Sequence, residues 1–492
     1  MEVESAAHVF RRPPAHSYPL SEVIVRRSVV VPGLAALLIL AACGSTEQSA
    51  DTTVAPPTTE APGSTPVTDP TVTDPSDTEP PTTEAPAEPP RGVDGNVVRV
   101  GVVVLVNQQQ ATEQAGGSGV TTIEQDRAVE ILIDDLNARG GLGGLTVEPV
   151  LFEIDATAGA DPQEIARAYC ATFTEDNEVY AVLALGEPGP EQLACLDDAG
   201  IPTIVAGGTT AFFDDADYAD NPLLVNVNGI SLDAAARSLV AGLDTSGFFA
   251  EGTTVGVLRL QSDAFDRATE SALLPALAEL GITPAAEVAI AAIESQDDIG
   301  RVSTEAQAAV LRMKDAGVDR LIMFESGGAL PFFFLNAASS QAYTPQLGFG
   351  STSGGQTLVQ NLGQGGTLVG WSPSTDVPTD GAPAQPPRAQ ECLDTLDPSG
   401  AAFTSAVATS QALGLCDVLW LLEAAVSEAG VVDGETLVAA IEGLGDSYQS
   451  STLEQVEFAP EKRYGTAVYR IADYDPACAC NVYRPDEPTP LG

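Results

Sequence analysis

The chain has almost no histidine. Its 492 residues include only His8 and His16, and both precede a stretch that has the character of an export signal. If that signal is removed, the mature protein contains no imidazole. This absence excludes catalytic triads built on a histidine base and metal sites built on histidine ligands. We therefore expect neither a metal nor a cofactor.

Positive charge is also scarce. The sequence has 21 basic residues against 69 acidic ones, which gives a net charge of −48. A field of that sign repels nucleic acid and anionic lipid, so we expect no nucleic-acid partner. Attachment to a membrane then requires a covalent lipid or an inserted segment. The length is too great for one ordinary domain.

The N-terminal region is an export signal. Arg26 and Arg27 precede an apolar run, residues 29–42, that is short for a transmembrane helix and ends at Cys43. Residues 40–44, Leu-Ala-Ala-Cys-Gly, resemble the lipobox of bacterial lipoproteins, in which the cysteine carries the lipid. We predict a lipoprotein signal peptide over 1–43, with an uncleaved anchor as the alternative. Translation that begins near Val25 would explain why residues 1–24 lack signal character.

Residues 44–92 form a low-complexity segment rich in Thr, Pro, Ala and acidic residues. Such a composition cannot bury a core, so we predict a disordered, extended linker. It would hold a globular part away from the envelope. The last residues, 485–492, are predicted to be a frayed tail.

The globular part opens with a strand–helix–strand unit. Residues 97–106 are a nearly unbroken valine-rich run, which predicts a buried strand of a parallel sheet. A polar loop is expected over 107–119, and apolar residues at helical spacing predict a helix over 123–137. Gly140 and Gly141 end that helix, and residues 145–152 form the next strand.

Strands and helices go on alternating to about residue 471, which predicts an α/β fold with two doubly wound parallel-sheet lobes. Lobe 1 is assigned to 93–227 plus about 373–455. Lobe 2 is assigned to 228–372 plus about 456–484, with a late strand at 456–458. The proline-rich stretch 372–387 is predicted to be a surface loop that crosses between the lobes.

Several motifs resemble one family. The turn after the first helix, 136–144, looks like a turn of the type I periplasmic substrate-binding proteins, the group that contains the leucine/isoleucine/valine-binding proteins of ABC importers. The small-residue and threonine turn at 206–210 and the loop at 260–265 occupy similar places in that family. The resemblance implies two lobes joined by a multi-strand hinge, a small molecule bound between them, and delivery of that ligand to ABC permease subunits. No catalytic residue and no enzymatic activity are implied.

Polar side chains that follow predicted strands are the candidate ligand-binding residues, because ligands of open α/β sheets bind beyond the carboxyl ends of the strands. Backbone N–H groups near Gly208 with two threonine hydroxyls would hold a carboxylate, and Glu325 would pair with an ammonium group. Helix capping by the threonines, a solvated Glu325 and local packing of Phe265 are the alternatives. The complete set is Gln110, Glu187, Gly208, Thr209, Thr210, Asp263, Phe265, Glu325 and Ser351.

Glu187 departs from the family pattern. Amino-acid binders of this family usually have a serine in the loop after the third strand, whereas this chain has Glu187 there. A glutamate would repel the carboxylate of a bound amino acid. The departure puts a branched-chain amino acid in doubt and leaves amides, urea-like compounds, amines and other small metabolites open.

Beyond the lipidation site Cys43, the sequence has six cysteines, an even number that favours disulfides in an exported domain. Cys170 and Cys195 match a place where family members often carry a disulfide. Cys392 with Cys416 is a second pair, and Cys478 with Cys480 would close a very small ring. We therefore expect an exported solute-binding protein that is lipid-anchored to the outer face of the bacterial cytoplasmic membrane. A ligand-sensing receptor with the same clamp, and less readily a secreted carboxylate-dependent hydrolase, are the alternatives.

Overall fold

The computed structural model describes residues 89–491 except for 115–120, 159–160, 187, 208–212, 294–297, 328, 354–364, 372–385, 387 and 401. Two separate β-sheets organise this part of the chain, and helices pack against both. The predicted signal peptide and nearly all of the predicted linker therefore lie outside the described residues. No helix in the described part is long and apolar enough to cross a membrane.

The first sheet has the strand order β1-β2-β4-β5-β6, with β3 on the other side of β2. Strands β2 to β6 pair in parallel, and only the short β1 is antiparallel. The valine-rich run is β2, which has parallel neighbours on both sides as predicted. The elements of this part are β1 (Val93–Asp94), β2 (Val97–Val106), α1 (Gln108–Gln114), α2 (Gln125–Ala138), β3 (Thr146–Asp155), α3 (Pro162–Cys170), β4 (Val182–Leu185), α4 (Pro190–Asp198), β5 (Thr203–Ala206), α5 (Asp215–Asp220) and β6 (Leu224–Asn226).

The second sheet repeats this plan. Its parallel strands run in the order β8-β7-β9-β10-β11. A π-helical turn at Thr269–Leu273 joins two of its helices, so these two helices form one continuous helix with a local widening. The elements are α6 (Leu232–Thr245), β7 (Val255–Gln261), α7 (Asp263–Ala268), α8 (Leu274–Glu279), β8 (Ala286–Ala291), α9 (Asp298–Asp315), β9 (Arg320–Phe324), α10 (Ala329–Ser340), β10 (Gln346–Gly350) and β11 (Gly366–Gly370).

Three later helices return to the first sheet: α11 (Ala389–Leu396), α12 (Ala406–Ala429) and α13 (Gly434–Gly443). The long α12 is apolar on nearly all sides because it is enclosed by α2, α11, α13 and the strands β4 and β5. Its residues Leu419, Leu421 and Leu422 share one buried core with β2 and α2. The second sheet is then completed by β12 (Val468–Asp475), which pairs antiparallel with β11, and by β13 (Cys480–Tyr483) and β14 (Thr489–Pro490), which pair antiparallel with β12.

The chain passes between the sheets after β6, between β11 and α11, and before β12. The first and last passages lie side by side. The N–H of Asn226 donates to the carbonyl of Arg463 at 2.8 Å, the N–H of Gly465 donates to the carbonyl of Asn226 at 2.9 Å, and Thr466 donates to Gly229 at 3.2 Å. The middle passage, predicted as a crossing loop over 372–387, lies almost entirely outside the described residues.

Some sequence predictions were wrong. The expected loop at 107–119 begins with helix α1, since glutamine, alanine and glutamate are good helix formers. The expected strand at 456–458 is only an isolated bridge between Val456 and Thr466. The predicted frayed tail is partly ordered, because β14 pairs with β12. Helix α11 and strand β13 were not predicted.

The structure forms the two predicted disulfides, and it also joins Cys478 to Cys480, a pairing that the sequence left open. Cys170–Cys195 joins the end of α3 to α4, and its Cα atoms are 6.1 Å apart. Cys392–Cys416 joins α11 to α12, and its Cα atoms are 6.0 Å apart. Both cysteines are fully buried. Cys478–Cys480 closes the turn between β12 and β13.

Candidate functional site

The carboxyl ends of the parallel strands define one edge on each sheet. Asp214 follows β5 at the edge of the first sheet, and Arg267 follows β7 at the edge of the second. Their side chains form two hydrogen bonds of 2.5 and 3.0 Å. The two edges therefore lie next to each other, which is where ligands of open α/β sheets bind.

On the first edge, three consecutive glutamines of α1 have different surroundings. Gln108 is buried, and its amide oxygen accepts from the amide of Gln411 at 2.6 Å and from that of Gln125 at 3.4 Å. Gln109 accepts from the backbone N–H of Thr122 at 3.0 Å. Gln110, the predicted ligand contact, is exposed to solvent. Gln108 and Gln109 therefore hold α1 in place, whereas Gln110 is available to a ligand.

Four predicted ligand residues, Glu187, Gly208, Thr209 and Thr210, lie outside the described residues. Residues on either side of them are described. Gly186 donates its N–H to the carbonyl of Ala206 at 3.1 Å, and α4 begins at Pro190. In the sequence these four residues come just after β4 and β5, which are adjacent parallel strands whose carboxyl ends lie at the same edge.

On the second edge, a compact polar cluster joins the ends of three neighbouring strands. Glu325 follows β9 and is only 3% exposed. The hydroxyl of Thr352 donates to the backbone carbonyl of Glu325 at 3.0 Å, and the hydroxyl of Ser351 accepts from the backbone N–H of Trp371 at 3.1 Å. The structure thus places the predicted residues Glu325 and Ser351 in one cluster, together with Ser326, Thr352 and Ser353, which are also buried.

The loop after β7 separates its predicted residues. Asp263 is exposed at the start of α7, as a ligand contact requires. Ser262 caps that helix by accepting from the N–H of Phe265 at 3.4 Å. Phe265 itself is fully buried, and its ring packs on Phe324 at 5.1 Å between centroids. Its side chain therefore lies in the core of the second lobe and presents no surface to a ligand.

Sequence reasoning missed two residues that support the site. The indole N–H of Trp371 donates to the hydroxyl of Ser238, on α6, at 2.8 Å, which fixes the end of β11. Gln411, on α12, anchors Gln108 of α1. Both contacts join positions more than 100 residues apart, so no local pattern could have revealed them.

The described residues offer no metal centre. No group of three histidine, cysteine, aspartate or glutamate side chains in this part of the chain could hold a metal ion. The polar groups described at the two edges are amides, hydroxyls and carboxylates, together with the guanidinium of Arg267, which is bonded to Asp214. These groups can bind a small polar molecule by hydrogen bonds and charge, which is the chemistry of a binding site.

A family model described as "Periplasmic binding protein" matches residues 111–477. None of the curated proteins compared with the chain matches it. Among solved structures, one similar protein is a solute-binding protein of an ABC transporter from R. palustris, in complex with 4-hydroxybenzoate. The two sequences are 15% identical and the TM-score is 0.56. The alignment covers 80% of this chain and 98% of that protein.

Two further solved structures are similar. A possible leucine/isoleucine/valine-binding protein from Rhodopirellula baltica SH 1 is 16% identical with a TM-score of 0.54, covering 80% of this chain and 97% of its own. A fatty acid ABC transporter substrate-binding protein from Thermomonospora curvata is 16% identical with a TM-score of 0.51, covering 82% and 95%. These likenesses confirm the predicted fold class, the two-lobed fold of the type I periplasmic binding proteins.

Proposed function

This chain belongs to the periplasmic binding protein family, and from that premise we propose that it captures an amino acid or another small polar metabolite for an ABC transporter. The family is one of solute-binding proteins and not of enzymes. The observation that carries the proposal is the pair of adjacent strand edges with their polar side chains. The similar structures are named for ligands as different as 4-hydroxybenzoate and fatty acid, so the ligand must be inferred from this chain's own residues.

Two carboxylates argue for a ligand with an amino or amide group. Glu325 is buried at the end of β9, where it can accept charge-assisted hydrogen bonds from an ammonium group. Glu187 follows β4 in the sequence and disfavours a ligand carboxylate at that place. No arginine or lysine occurs in the segments that directly follow the parallel strands, such as 107–113, 207–213, 325–328 and 351–365. The guanidinium of Arg267 does lie at these edges, but it is already bonded to Asp214 and Asp217. A purely anionic ligand would therefore compete with two aspartates for this arginine.

A thermal-shift screen of the purified full-length protein tests this proposal. The panel contains amino acids, amides, urea, polyamines and short organic acids including 4-hydroxybenzoate. A ligand at about 100 times its Kd stabilises the folded state by about 2.7 kcal/mol, so a true ligand gives a clear shift. If no compound stabilises the protein, the binding function is contradicted.

Variants then locate the site. Glu325→Gln removes the negative charge with little change in shape, and we expect it to weaken binding of an amine about tenfold or more. Thr209→Ala tests the first edge in the same way. Glu279→Gln, an exposed glutamate on α8, is the matched control and should bind as the wild type does. Unchanged affinity in Glu325→Gln would place the ligand elsewhere.

The anchoring and the transport role need separate tests. We propose that Cys43 carries the lipid, that 44–92 is the linker, and that the chain divides into lobes near residues 228, 373 and 456. Cys43→Ala should release the protein from the membrane fraction and abolish labelling by radioactive palmitate. Loss of uptake of the identified ligand on deletion supports the importer component, whereas intact uptake with loss of a ligand-dependent response supports a sensing receptor.

A further inference from the structure

One arginine of the second lobe is bonded to two aspartates of the first. Arg267 lies on α7, and its Nε and Nη2 atoms are 2.5 and 3.0 Å from the two carboxylate oxygens of Asp214. Its Nη2 also donates to Asp217 at 2.7 Å. Both aspartates belong to the start of α5, between β5 and β6 of the first sheet. The guanidinium therefore bridges the two lobes directly.

The partner carboxylates are held rigidly. The side chain of Asp214 is only 2% exposed, and it accepts from the backbone N–H of Asp217 at 2.8 Å. In return, the carboxylate of Asp217 accepts from the backbone N–H of Asp214 at 3.1 Å. This reciprocal cap fixes both side chains at the N-terminal end of α5. Because Asp214 is buried, loss of its arginine would leave a buried carboxylate with less compensation, which costs more than loss of an exposed ion pair.

Other groups of the second lobe contact the same turn of α5. The carboxylate of Asp233, on α6, accepts from the N–H of Asp215 at 3.0 Å and from the hydroxyl of Ser271 at 2.5 Å. Arg237, also on α6, lies 3.5 Å from the carboxylate of Asp215. The acidic start of α5 thus meets two arginines across the lobe boundary, while Asp233 of the second lobe binds a backbone N–H of the same turn.

Arg267 and Asp214 each follow candidate ligand-binding residues in the sequence. The candidate residues Gly208, Thr209 and Thr210 precede Asp214 by four to six positions in the sequence. Arg267 lies one helical turn after the candidate residue Asp263. In the proposed clamp, a rotation that separates the two strand edges would move Asp214 away from Arg267 and break the ion pair. On that proposal the contact belongs to the arrangement in which the two edges are close.

We infer that Arg267 is an interlobe latch, a positioning residue that stabilises the arrangement in which the two edges face each other and thereby raises the affinity for a ligand bound between them. The inference rests on the proposed function of the two lobes as a clamp. An interaction present in only one of two conformations shifts their populations by its own free energy. The apparent affinity then falls in proportion to the binding-competent fraction.

Distances between the edges in the ligand-free, full-length protein test the latch. Spin labels at two exposed positions, Gln110 on the first edge and Asp263 on the second, report the separation by double electron–electron resonance. We expect Arg267→Gln to lower the ratio of near to far populations about tenfold, the equivalent of about 1.4 kcal/mol. Arg267→Lys keeps the charge without the bidentate geometry and should lie between the wild type and Arg267→Gln.

Arg484→Gln is the matched control. Arg484 forms a similar bidentate pair with Asp473, at 2.7 and 3.2 Å, but both residues belong to the second sheet and its hairpin. This variant loses the same charge and should leave the distance distribution unchanged. Identical distributions for the wild type and a folded Arg267→Gln protein would overturn the latch, and so would an equal shift in Arg484→Gln.

A second variant and a measurement of ligand affinity extend this experiment. If Arg267→Gln does not fold, Asp217→Asn is used in its place, because it removes the less buried partner of Arg267. This variant should shift the distances in the same direction by a smaller amount. The absence of a shift in Asp217→Asn would overturn the latch. Because the distances are measured without ligand, they stay interpretable if the ligand screen fails. If the screen yields a ligand, Arg267→Gln should raise the Kd of that ligand about tenfold, mainly through faster dissociation. An unchanged Kd would contradict the proposal that the ion pair raises the affinity for the ligand.

Discussion

The side-chain amide of Asn137 binds Val147 in the way that a neighbouring strand would. It accepts from the N–H of Val147 at 2.7 Å and donates to the carbonyl of Val147 at 2.9 Å. In a strand, the N–H and C=O of one residue point to the same side. Asn137, at the end of α2, therefore takes the place of a strand partner for β3 and closes the turn that follows the helix. Gly141 completes this turn at a φ of 71°, where a Cβ would lie 1.9 Å from the carbonyl oxygen of Leu145.

Asn137→Asp should destabilise the protein, because a carboxylate accepts the N–H of Val147 but opposes its carbonyl. We expect a loss of about 2 kcal/mol in the free energy of unfolding, measured by urea denaturation. Asn336→Asp is the control, since the amide of Asn336 bonds only to the carbonyl of Phe332 on an exposed helix surface. Equal losses in the two variants would contradict a special role for Asn137.

A second prediction concerns Asp417, which is fully buried in the middle of the apolar α12. Burial raises the pKa of this carboxyl, while hydrogen bonds from Ser450, Ser451 and Thr452 lower it. The hydroxyl of Ser450 and the N–H of Ser451 lie 2.6 and 2.7 Å from the carboxylate oxygens. The carboxylate thereby ties α12 to the segment that leads to the last passage between the lobes.

Asp417→Ala should lower the free energy of unfolding by about 3 kcal/mol or more, because several buried donors lose their acceptor. Glu428→Ala, an exposed carboxylate on the same helix, should change it by less than about 0.5 kcal/mol. Guanidinium denaturation followed by tryptophan fluorescence measures both. A change in Asp417→Ala as small as that of the control would show that the loop does not depend on this carboxylate.

The three disulfides should differ in their effect on stability. Loss of Cys392–Cys416 frees a loop with a sequence separation of 24, and the entropy of loop closure assigns about 3 kcal/mol to such a bridge. Cys478–Cys480 has a separation of only 2, and its loss should cost much less. The paired serine variants at each site, compared by calorimetry, test this order. An equal fall in Tm for both would contradict the loop-entropy explanation.

The pH dependence of stability should contain a contribution from Asp197, on α4. Burial raises the pKa of this carboxyl from 3.8 to about 6, against the opposing effect of a hydrogen bond with the backbone of Leu223. The folded chain therefore keeps the proton to a higher pH than the unfolded chain does. The stabilisation from this group is present below the unfolded pKa and is lost as the pH rises through the folded pKa of about 6.

Asp197→Asn imitates the protonated carboxyl at every pH. Its Tm relative to the wild type should therefore increase between pH 4 and pH 7, in favour of the variant at pH 7. Asp198→Asn, at the exposed neighbouring position, reports the general effect of removing one negative charge. A difference between Asp197→Asn and the wild type that stays constant with pH would rule out this contribution.

The sequence alone determined the parallel-sheet class, the position of β2 and the turn from Asn137 to Gly144. Hydrophobic periodicity and turn residues encode these features locally, because each strand or helix must bury one face wherever it lies. Helix α1 shows where this reasoning failed. The glycines at 116, 117 and 119 suggested a loop, although the preceding glutamines, alanine and glutamate favour a helix.

Only the tertiary structure decided where the side chains that follow the strands are placed. Phe265 and Glu325 both follow a strand, yet the ring of Phe265 lies in the apolar core and the side chain of Glu325 lies within a polar cluster. Arg267 and Asp214 are 53 positions apart, and Asp417 and Thr452 are 35 apart. Charges and hydrogen-bonding groups have no periodicity of their own, so their partners are set by the packing of whole helices and strands and cannot be derived from local sequence.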